Sequence, residues 1–421
     1  MSSSKALWVS AGIVCIALGG MAKAQDSGRT PRFAEVVTQR FDAWDADRDG
    51  RISPTEIDRA CVDPAVHGSE AAAIAALKRI VRSEKYDLPA LTREFLSKPT
   101  GRSNRRSIPR DADRDDSTER AHGAEQVSVP TGTTFSASDF QVRYSQCLSR
   151  IEKTDRALFK DRSELTLDHC HQGPLGDCFF VCVVGGMVRH HPDSVRDMIT
   201  SVGDNGGYDV RFGNGRTVRI APLTDAEIAI SSTTTDKYAQ VGGDGLWLAV
   251  LEKAFGTLRI SDSPSRYSME SATDALAKGG STASSIQLLT GHRTDRITLK
   301  RPGRDWKPDD ENLDALAVRV RSAIDRTLSA GRLVATGTGD EKVPPGMSPK
   351  HAYAVLGFDA STDTVTVWNP HGNSYRPRGK SGISTGYPTS SGLFQIPMRD
   401  FVRVFNGLTY ETDRPLTSRR G

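Results

Sequence analysis

The chain has little net charge, no long apolar run and no internal repeat, and each shortage removes a class of function. Its 56 Lys and Arg are nearly balanced by 52 Asp and Glu, leaving +4 over 421 residues. A field that weak gives no reason to expect nucleic acid or an anionic membrane as partner. The apolar stretch at residues 6–20 is interrupted by glycines and falls short of the roughly 20 residues that span a bilayer. No segment recurs at the period of about 20–50 residues that marks a solenoid or propeller. With six cysteines and nine histidines, thiol and imidazole chemistry has few places to sit.

The N-terminus does carry a targeting pattern. Lys5, the apolar run and Ala22-Lys23-Ala24 before Gln25 predict a signal peptide over residues 1–24, hence export to a secreted or periplasmic address with no stable membrane anchor after cleavage. No lipobox precedes Cys15. Its removal leaves Cys61, Cys147, Cys170, Cys178 and Cys182, an odd number, so one thiol stays free even if two disulfides form.

With 37% hydrophobic residues the remainder can build about two or three domains. Residues 31–98 read as helical, with Phe33, Val36, Val37, Phe41 and Trp44 at spacings of three and four. Residues 99–135 are rich in Arg, Asp, Ser, Gly and Pro with hardly an apolar cluster, which predicts a disordered linker. Residues 136–415 mix helical and strand patterns and predict an α+β core. Within it, Tyr208, Val210 and Phe212 alternate before Asn214-Gly215, and Val218 and Ile220 after it, predicting a hairpin closed by a type I′ turn.

Asp45-Ala46-Asp47-Arg48-Asp49-Gly50-Arg51-Ile52-Ser53-Pro54-Thr55-Glu56 matches the twelve-residue EF-hand loop. Asp45, Asp47 and Asp49 supply oxygen at positions 1, 3 and 5, Gly50 permits the turn at 6, Arg51 offers its backbone carbonyl at 7, and Glu56 can bind calcium bidentately at 12. Ser53, Pro54 and Glu56 also suit the start of the exiting helix. The later Asp111-Ala112-Asp113-Arg114-Asp115-Asp116 has a similar charge rhythm but no Gly at position 6, and reads as linker. Residues 86–95 resemble the second half of a partner hand that has lost its acidic ligands, so one Ca2+ is expected.

The densest chemical signal is Gln172-Gly173-Pro174-Leu175-Gly176-Asp177-Cys178-Phe179-Phe180, running into Val181-Cys182-Val183-Val184. Two glycines and a proline lead into a helix whose first turn holds Cys178, where unpaired N–H groups and the macrodipole favour a thiolate. The Cys178 N–H and the Gln172 side chain can both donate to an oxyanion. Cys182, one turn on, reads as a buried apolar residue. A thiol nucleophile needs an imidazole and an acceptor that orients it. His351 opens the strand pattern 351–358, a polar turn follows, and the return strand 364–368 ends at Asn369. Folding this hairpin about residue 361 sets 351 opposite about 371 and brings Asn369 within one diagonal pair of His351. His190 and His191 read as surface residues. His169, Cys170 and His171 are too crowded for the usual spacing of a zinc site.

These residues resemble the calpain-like cysteine peptidases of papain-type fold, with their Gln-Gly-x-x-Gly-Asp-Cys, His-Ala-Tyr and Asn-Pro-x-Gly motifs. The resemblance extends through Leu246-Trp247, Leu251-Glu252-Lys253-Ala254-Phe255, Leu289-Thr290-Gly291 and Gly392-Leu393-Phe394, over residues 140–412. It implies a two-lobed protease core in which Cys178, His351 and Asn369 are catalytic and Gln172 serves the oxyanion hole. Phe179 and His371 stand where the family pattern has Trp. The expected activity is an exported cysteine endopeptidase acting on proteins or peptides, open to regulation by calcium. A calcium-binding pseudoprotease that only docks proteins, and an acyl transfer to amines, are the rival readings.

Overall fold

The computed structural model describes residues 30–83, 88–98, 137–160, 165–203, 206–232, 245–267, 271–300 and 310–416. The expected signal peptide and the whole expected linker, 99–135, lie outside the described residues. Among these, no helix is long and apolar enough to cross a membrane.

The first helices are α1 (Phe33–Trp44), α2 (Pro54–Val62), α3 (Gly68–Val81) and α4 (Arg93–Leu96), followed by α5 (Ala137–Lys153). The apolar stripe of α1 is buried throughout. Helix α3 is apolar nearly all round, with residues 71–77 fully buried, so it sits at the centre of the group. Its cluster includes Phe140, Tyr144 and Cys147 of α5, and Ala226, Ala229 and Ile230 of a later helix. The described residues from Arg32 onward form one compact unit.

Then come α6 (Cys178–His190), α7 (Pro192–Asp197) and a small antiparallel sheet of β1 (Ile199–Val202), β2 (Gly207–Arg211) and β3 (Thr217–Ile220). The β2–β3 turn is not the expected type I′. Type I′ needs positive φ at both central residues, and here Gly215 has φ +84° whereas Asn214 does not. The Phe212 N–H donates to the Arg216 carbonyl and the Gly215 N–H to that of Phe212, a three-residue loop. A Cβ on Gly213 would lie 2.1 Å from the Leu289 carbonyl oxygen, so the loop is shaped by the backbone it lies against.

Helices α8 (Asp225–Ile230), α9 (Trp247–Asp262), α10 (Pro264–Tyr267), α11 (Ala272–Ala277) and α12 (Thr282–Thr290) lead into the main sheet. Its strands are β4 (His292–Thr298), β5 (Val334–Gly337), β6 (Ala352–Asp359), β7 (Thr364–Trp368), β8 (Thr389–Ser390), β9 (Leu393–Pro397) and β10 (Gly407–Pro415), with α13 (Asp310–Ser329) and α14 (Met398–Val404) between them. The order across the sheet is β4-β10-β5-β6-β7-β9-β8, and every neighbouring pair is antiparallel. The fold is therefore mixed α+β.

Alternation along β6 and β7 sends side chains into two clusters. Ala352, Ala354, Leu356 and Trp368 join the cluster of α6, α9 and α12, whereas Tyr353, Val355, Val365 and Val367 join that of α13 and α14, as the two-residue period of a strand requires. The helix that begins at Cys178 thus lies directly on the strand that follows His351. A Cβ on Gly185 would fall 2.2 Å from Cζ3 of Trp368, so only glycine lets α6 approach this closely.

Candidate active site

Helix α6 starts at Cys178, which is half-buried. The amides of Phe180 and Val181 both donate to the Asp177 carbonyl, so the helix closes at once behind the thiol. Asp177 is the N-cap, yet its side chain makes no capping bond and is wholly buried. The loop before it is held from three sides. The Gln172 N–H donates to the Pro370 carbonyl at 2.9 Å, and the Gly173 N–H to Ser232 Oγ at 2.8 Å. A Cβ on Gly173 would stand 2.5 Å from the Ser231 carbonyl oxygen, and one on Gly176 3.0 Å from that of Ala277. The Gln172 Nε2 donates to the Leu175 carbonyl at 2.6 Å, and the same amide lies beside the Asp177 carboxyl.

His351 is buried at the head of β6, its N–H donating to Thr338 Oγ1 at 3.1 Å and its carbonyl accepting from the Thr338 N–H at 2.9 Å. The ring Nε2 lies 2.8 Å from Asn369 Oδ1. The direction of that bond follows from the next ones: Asn369 Nδ2 donates to Asn373 Oδ1 at 2.9 Å, and Asn373 Nδ2 to the Gly346 carbonyl at 2.8 Å. This chain fixes the Asn369 oxygen toward the ring, so Nε2 carries the proton and Nδ1 keeps a lone pair. Oδ1 accepts a second bond, from the His371 N–H at 3.0 Å.

His351 is walled in by rings. His371 stacks on one face, centroids 4.2 Å apart, and Tyr353 meets it edge-on at 4.9 Å. Burial first, and the facing His371 second, hold the His351 imidazole well below the ordinary histidine range, against the opposing pull of Asn369. It is therefore neutral at physiological pH, the form that accepts a proton. Cys178 is close enough to Tyr353 to raise its phenol further, after burial has done most of that. The structure thus gathers Gln172, Cys178, His351 and Asn369 around the contact of α6 with β6 and the 369–373 turn.

The other candidates fall elsewhere. Cys182 is fully buried, its thiol toward the Phe179 carbonyl. None of the five described cysteines is in a disulfide. His190 and His191 are half-buried, not surface residues, because the end of α6 is covered: burial lowers the His190 pKa, and the His191 ring meets the Gly331 carbonyl. Burial pushes His171 down to about 4, while His169 bonds back to Thr166. Among the described residues, Asp45, Asp47 and Asp49 make the one group of three ligating side chains within 4.8 Å of one another, so His169, Cys170 and His171 do not form one.

The loop from Asp45 to Glu56 offers only hard oxygens, the chemistry calcium takes. Gly50 turns at φ +82°, and the Glu56 carboxylate faces back along the loop, accepting from the Ala46 N–H at 2.6 Å and from the Ser53 N–H at 2.8 Å. Burial opposes its charge, but these donors win and hold Glu56 below its usual range. Arg51 pairs with Thr92, and the Ile52 N–H donates to the Leu91 carbonyl, joining the loop to the segment before α4.

A family model described as calpain family cysteine protease matches residues 143–380, more than half of the chain. The chain belongs to the calpain family of cysteine proteases. A search of curated proteins found no match to it. The matched span of this calpain-family chain holds Gln172, Cys178, His351 and Asn369, whereas α1–α4 precede it. The protein is accordingly a calpain-like cysteine endopeptidase, and its substrates are proteins.

Sequence reading passed over three residues of this neighbourhood: Asn373, which orients Asn369, and the buried acids Asp177 and Glu252. Glu252 had a visible signal. It is a charge in the middle of the apolar face of α9, between Leu251 and Ala254, and is fully buried.

Proposed function

We propose that the chain hydrolyses peptide bonds with Cys178 as nucleophile, His351 as general base and acid, Asn369 as the group that orients the imidazole, and Gln172 with the Cys178 N–H as oxyanion donors, in a papain-type cleft between a helical and a β-rich lobe. The observation that carries this is the 2.8 Å bond from His351 to Asn369, which leaves Nδ1 of a neutral ring as a base beside the start of α6.

The Cys178 thiol gives its proton to His351 Nδ1 as sulfur attacks the scissile carbonyl. The negative charge that develops on oxygen is met by the two donors, whose positions are set before the reaction by the loop 172–178. His351 then returns the proton to the leaving amine, and a water deprotonated by the same ring releases the acyl group from sulfur. Replacement of Cys178 by Ala is expected to abolish hydrolysis of an unfolded protein. Undiminished turnover by that variant sinks the assignment.

Calcium at Asp45, Asp47, Asp49, the Arg51 carbonyl and Glu56 supports the N-terminal helices and enters no chemical step. The reading rests on the all-oxygen donor set and the turn at Gly50, and calorimetric titration of the full chain with Ca2+ tests it. Export rests on the N-terminal pattern, and N-terminal sequencing of the mature protein in its native host, with a start other than Gln25 counting against it, is the check.

A further inference from the structure

The fully buried carboxyls of Asp177 and Glu252 lie directly behind the nucleophile and take no part in the proton transfers above. We infer that they share one proton and act as a positioning pair, clamping the loop that carries both oxyanion donors. This rests on the roles proposed for Cys178 and Gln172.

Asp177 sits where an aspartate ordinarily caps a helix by accepting from its first-turn amides. It makes no such bond, and its two oxygens are buried with only the Gln172 amide and its own N–H near them, neither aligned well enough to make a hydrogen bond. Glu252 Oε1 is likewise buried without a partner, and this second carboxyl is the one Asp177 faces, with the Gln172 amide nearby. Two ionised carboxylates in that contact would repel, without water to screen them. One carboxylic acid donating to one carboxylate satisfies both groups and forms a strong, charge-assisted bond.

The remaining charge also has its answers. Glu252 Oε2 accepts from the Ser232 N–H at 2.8 Å, and the buried Arg150 of α5 attracts the same carboxylate. Arg150 in turn donates to the Ser231 carbonyl. Burial raises the pKa of both acids, most strongly that of Asp177, where the Glu252 charge adds to the effect.

The pair connects both ends of the loop. Asp177 is its last residue before Cys178. At the other end the Gly173 N–H is held by Ser232 Oγ, and Ser232 is itself held by Glu252. A shift of this frame moves Gln172 and the Cys178 N–H relative to the oxyanion they serve, while substrate contacts elsewhere in the cleft are unaffected.

The test compares full-length wild type with Glu252→Leu, Glu252→Gln and Asp177→Asn, using steady-state kinetics on a peptide substrate and labelling of Cys178 by a thiol-directed epoxide. Glu252→Leu keeps the volume but removes the clamp. It is expected to lose about 10²-fold in kcat, on the scale of one displaced oxyanion donor, with KM little changed. Each amide variant restores a donor in place of the shared proton and retains one negative charge, so kcat stays close to wild type. A protonated-carboxyl C=O band in the infrared spectrum at neutral pH, lost in the double variant Asp177→Asn/Glu252→Gln, is the direct signature. Full activity of Glu252→Leu, amide variants as impaired as the leucine, or absence of that band from wild type each overturns the pair. If Glu252→Leu unfolds, the amide variants and the band decide alone. Wild type that neither labels nor turns over would instead defeat the reading of Cys178.

Discussion

The imidazoles of His351 and His371 stack with centroids 4.2 Å apart and planes 15° from parallel. Where the calpain-like pattern has a tryptophan beside the asparagine, this chain therefore places a second ionisable ring against the first. His371 stands second only to burial in lowering the His351 pKa. Asn369 and Tyr353 also meet the His351 ring, with Cys178 near Tyr353, and the phenol stays neutral because burial pushes it up.

Replacing His371 by Trp keeps a flat ring and removes that charge. The His351 pKa then rises, because one cause of its depression is gone. A base that must be neutral to accept the thiol proton is lost to protonation at higher pH, so the acid limb of kcat/KM moves upward. The pH profile of the variant measures this, and a limb that stays in place rules out coupling between the rings. In wild type the depressed pKa also means that stability is present above the ordinary histidine value of 6.5 and declines as pH falls below it.

Neighbouring glycines of α6 should respond oppositely to alanine. At Gly185 the new Cβ would stand 2.2 Å from Trp368, a fully buried ring whose Nε1 donates to the Ser391 carbonyl and which cannot withdraw. Overpacking of that kind costs about 1–3 kcal/mol, and it tilts the helix that carries Cys178, so both the melting temperature and kcat fall. At Gly186 the nearest atom is Leu333 Cδ2 at 3.5 Å, an ordinary contact. There alanine gains helix propensity worth up to about 1 kcal/mol. Thermal melts of the two variants should separate in sign.

The protease core should not survive removal of the N-terminal helices. A chain starting near residue 136 uncovers Phe140, Tyr144, Cys147 and Ile151 of α5, all buried within the cluster shared with α1 and α3. Each large apolar side chain returned to water forfeits about 1.5–3 kcal/mol. Lys78 of α3, held between Asp58 and Asp274, and Arg82, also on Asp274, are lost as well, which leaves the Asp274 carboxylate without its cations. Expression in inclusion bodies, or a melting transition far below that of the full chain, is the expected result. A soluble fragment with wild-type stability would show that the cluster is dispensable.

How far the sequence could be read depended on how local each cause was. Alternation in residues 352–358 and 364–368, with a polar turn between, marks β6 and β7 without any tertiary information, and the register Ala354 to Trp368 continues to 351 opposite 371. The start of α6 is legible for the same reason, since Gly176-Asp177-Cys178 ahead of an apolar run is a local signal. Fits between distant segments leave no such trace. Nothing near Gly185 announces Trp368, nothing near Asp177 announces Glu252, and Asn214-Gly215 suggested a turn type that packing against α12 replaced. The helical character of residues 31–98 was plain, but their burial against α5 and α8 depends on Phe140 and Ala226, which lie beyond the segment itself.

Glu56 allows the calcium reading to be separated from ordinary helix capping. Its carboxylate accepts from Ser53 as part of the capping box of α2 and is also the twelfth position of the loop. Glutamine preserves the capping contact, because its side-chain oxygen accepts the same N–H, but it brings no charge and cannot bind a cation with two oxygens. In the presence of a chelator, Glu56→Gln should therefore melt close to wild type. Added calcium should raise the melting temperature of wild type, since a ligand that binds only the folded state stabilises it by about 2.7 kcal/mol at a hundred times its Kd. The variant should show little of that rise. The effect should reach the core, because α2 carries Asp58, which together with Asp274 of α11 grips Lys78, and α11 ends against Gly176 of the loop before Cys178. Activity measured alongside the melts tells whether calcium acts on catalysis or on stability alone, and a wild-type melt indifferent to calcium removes the metal from the account.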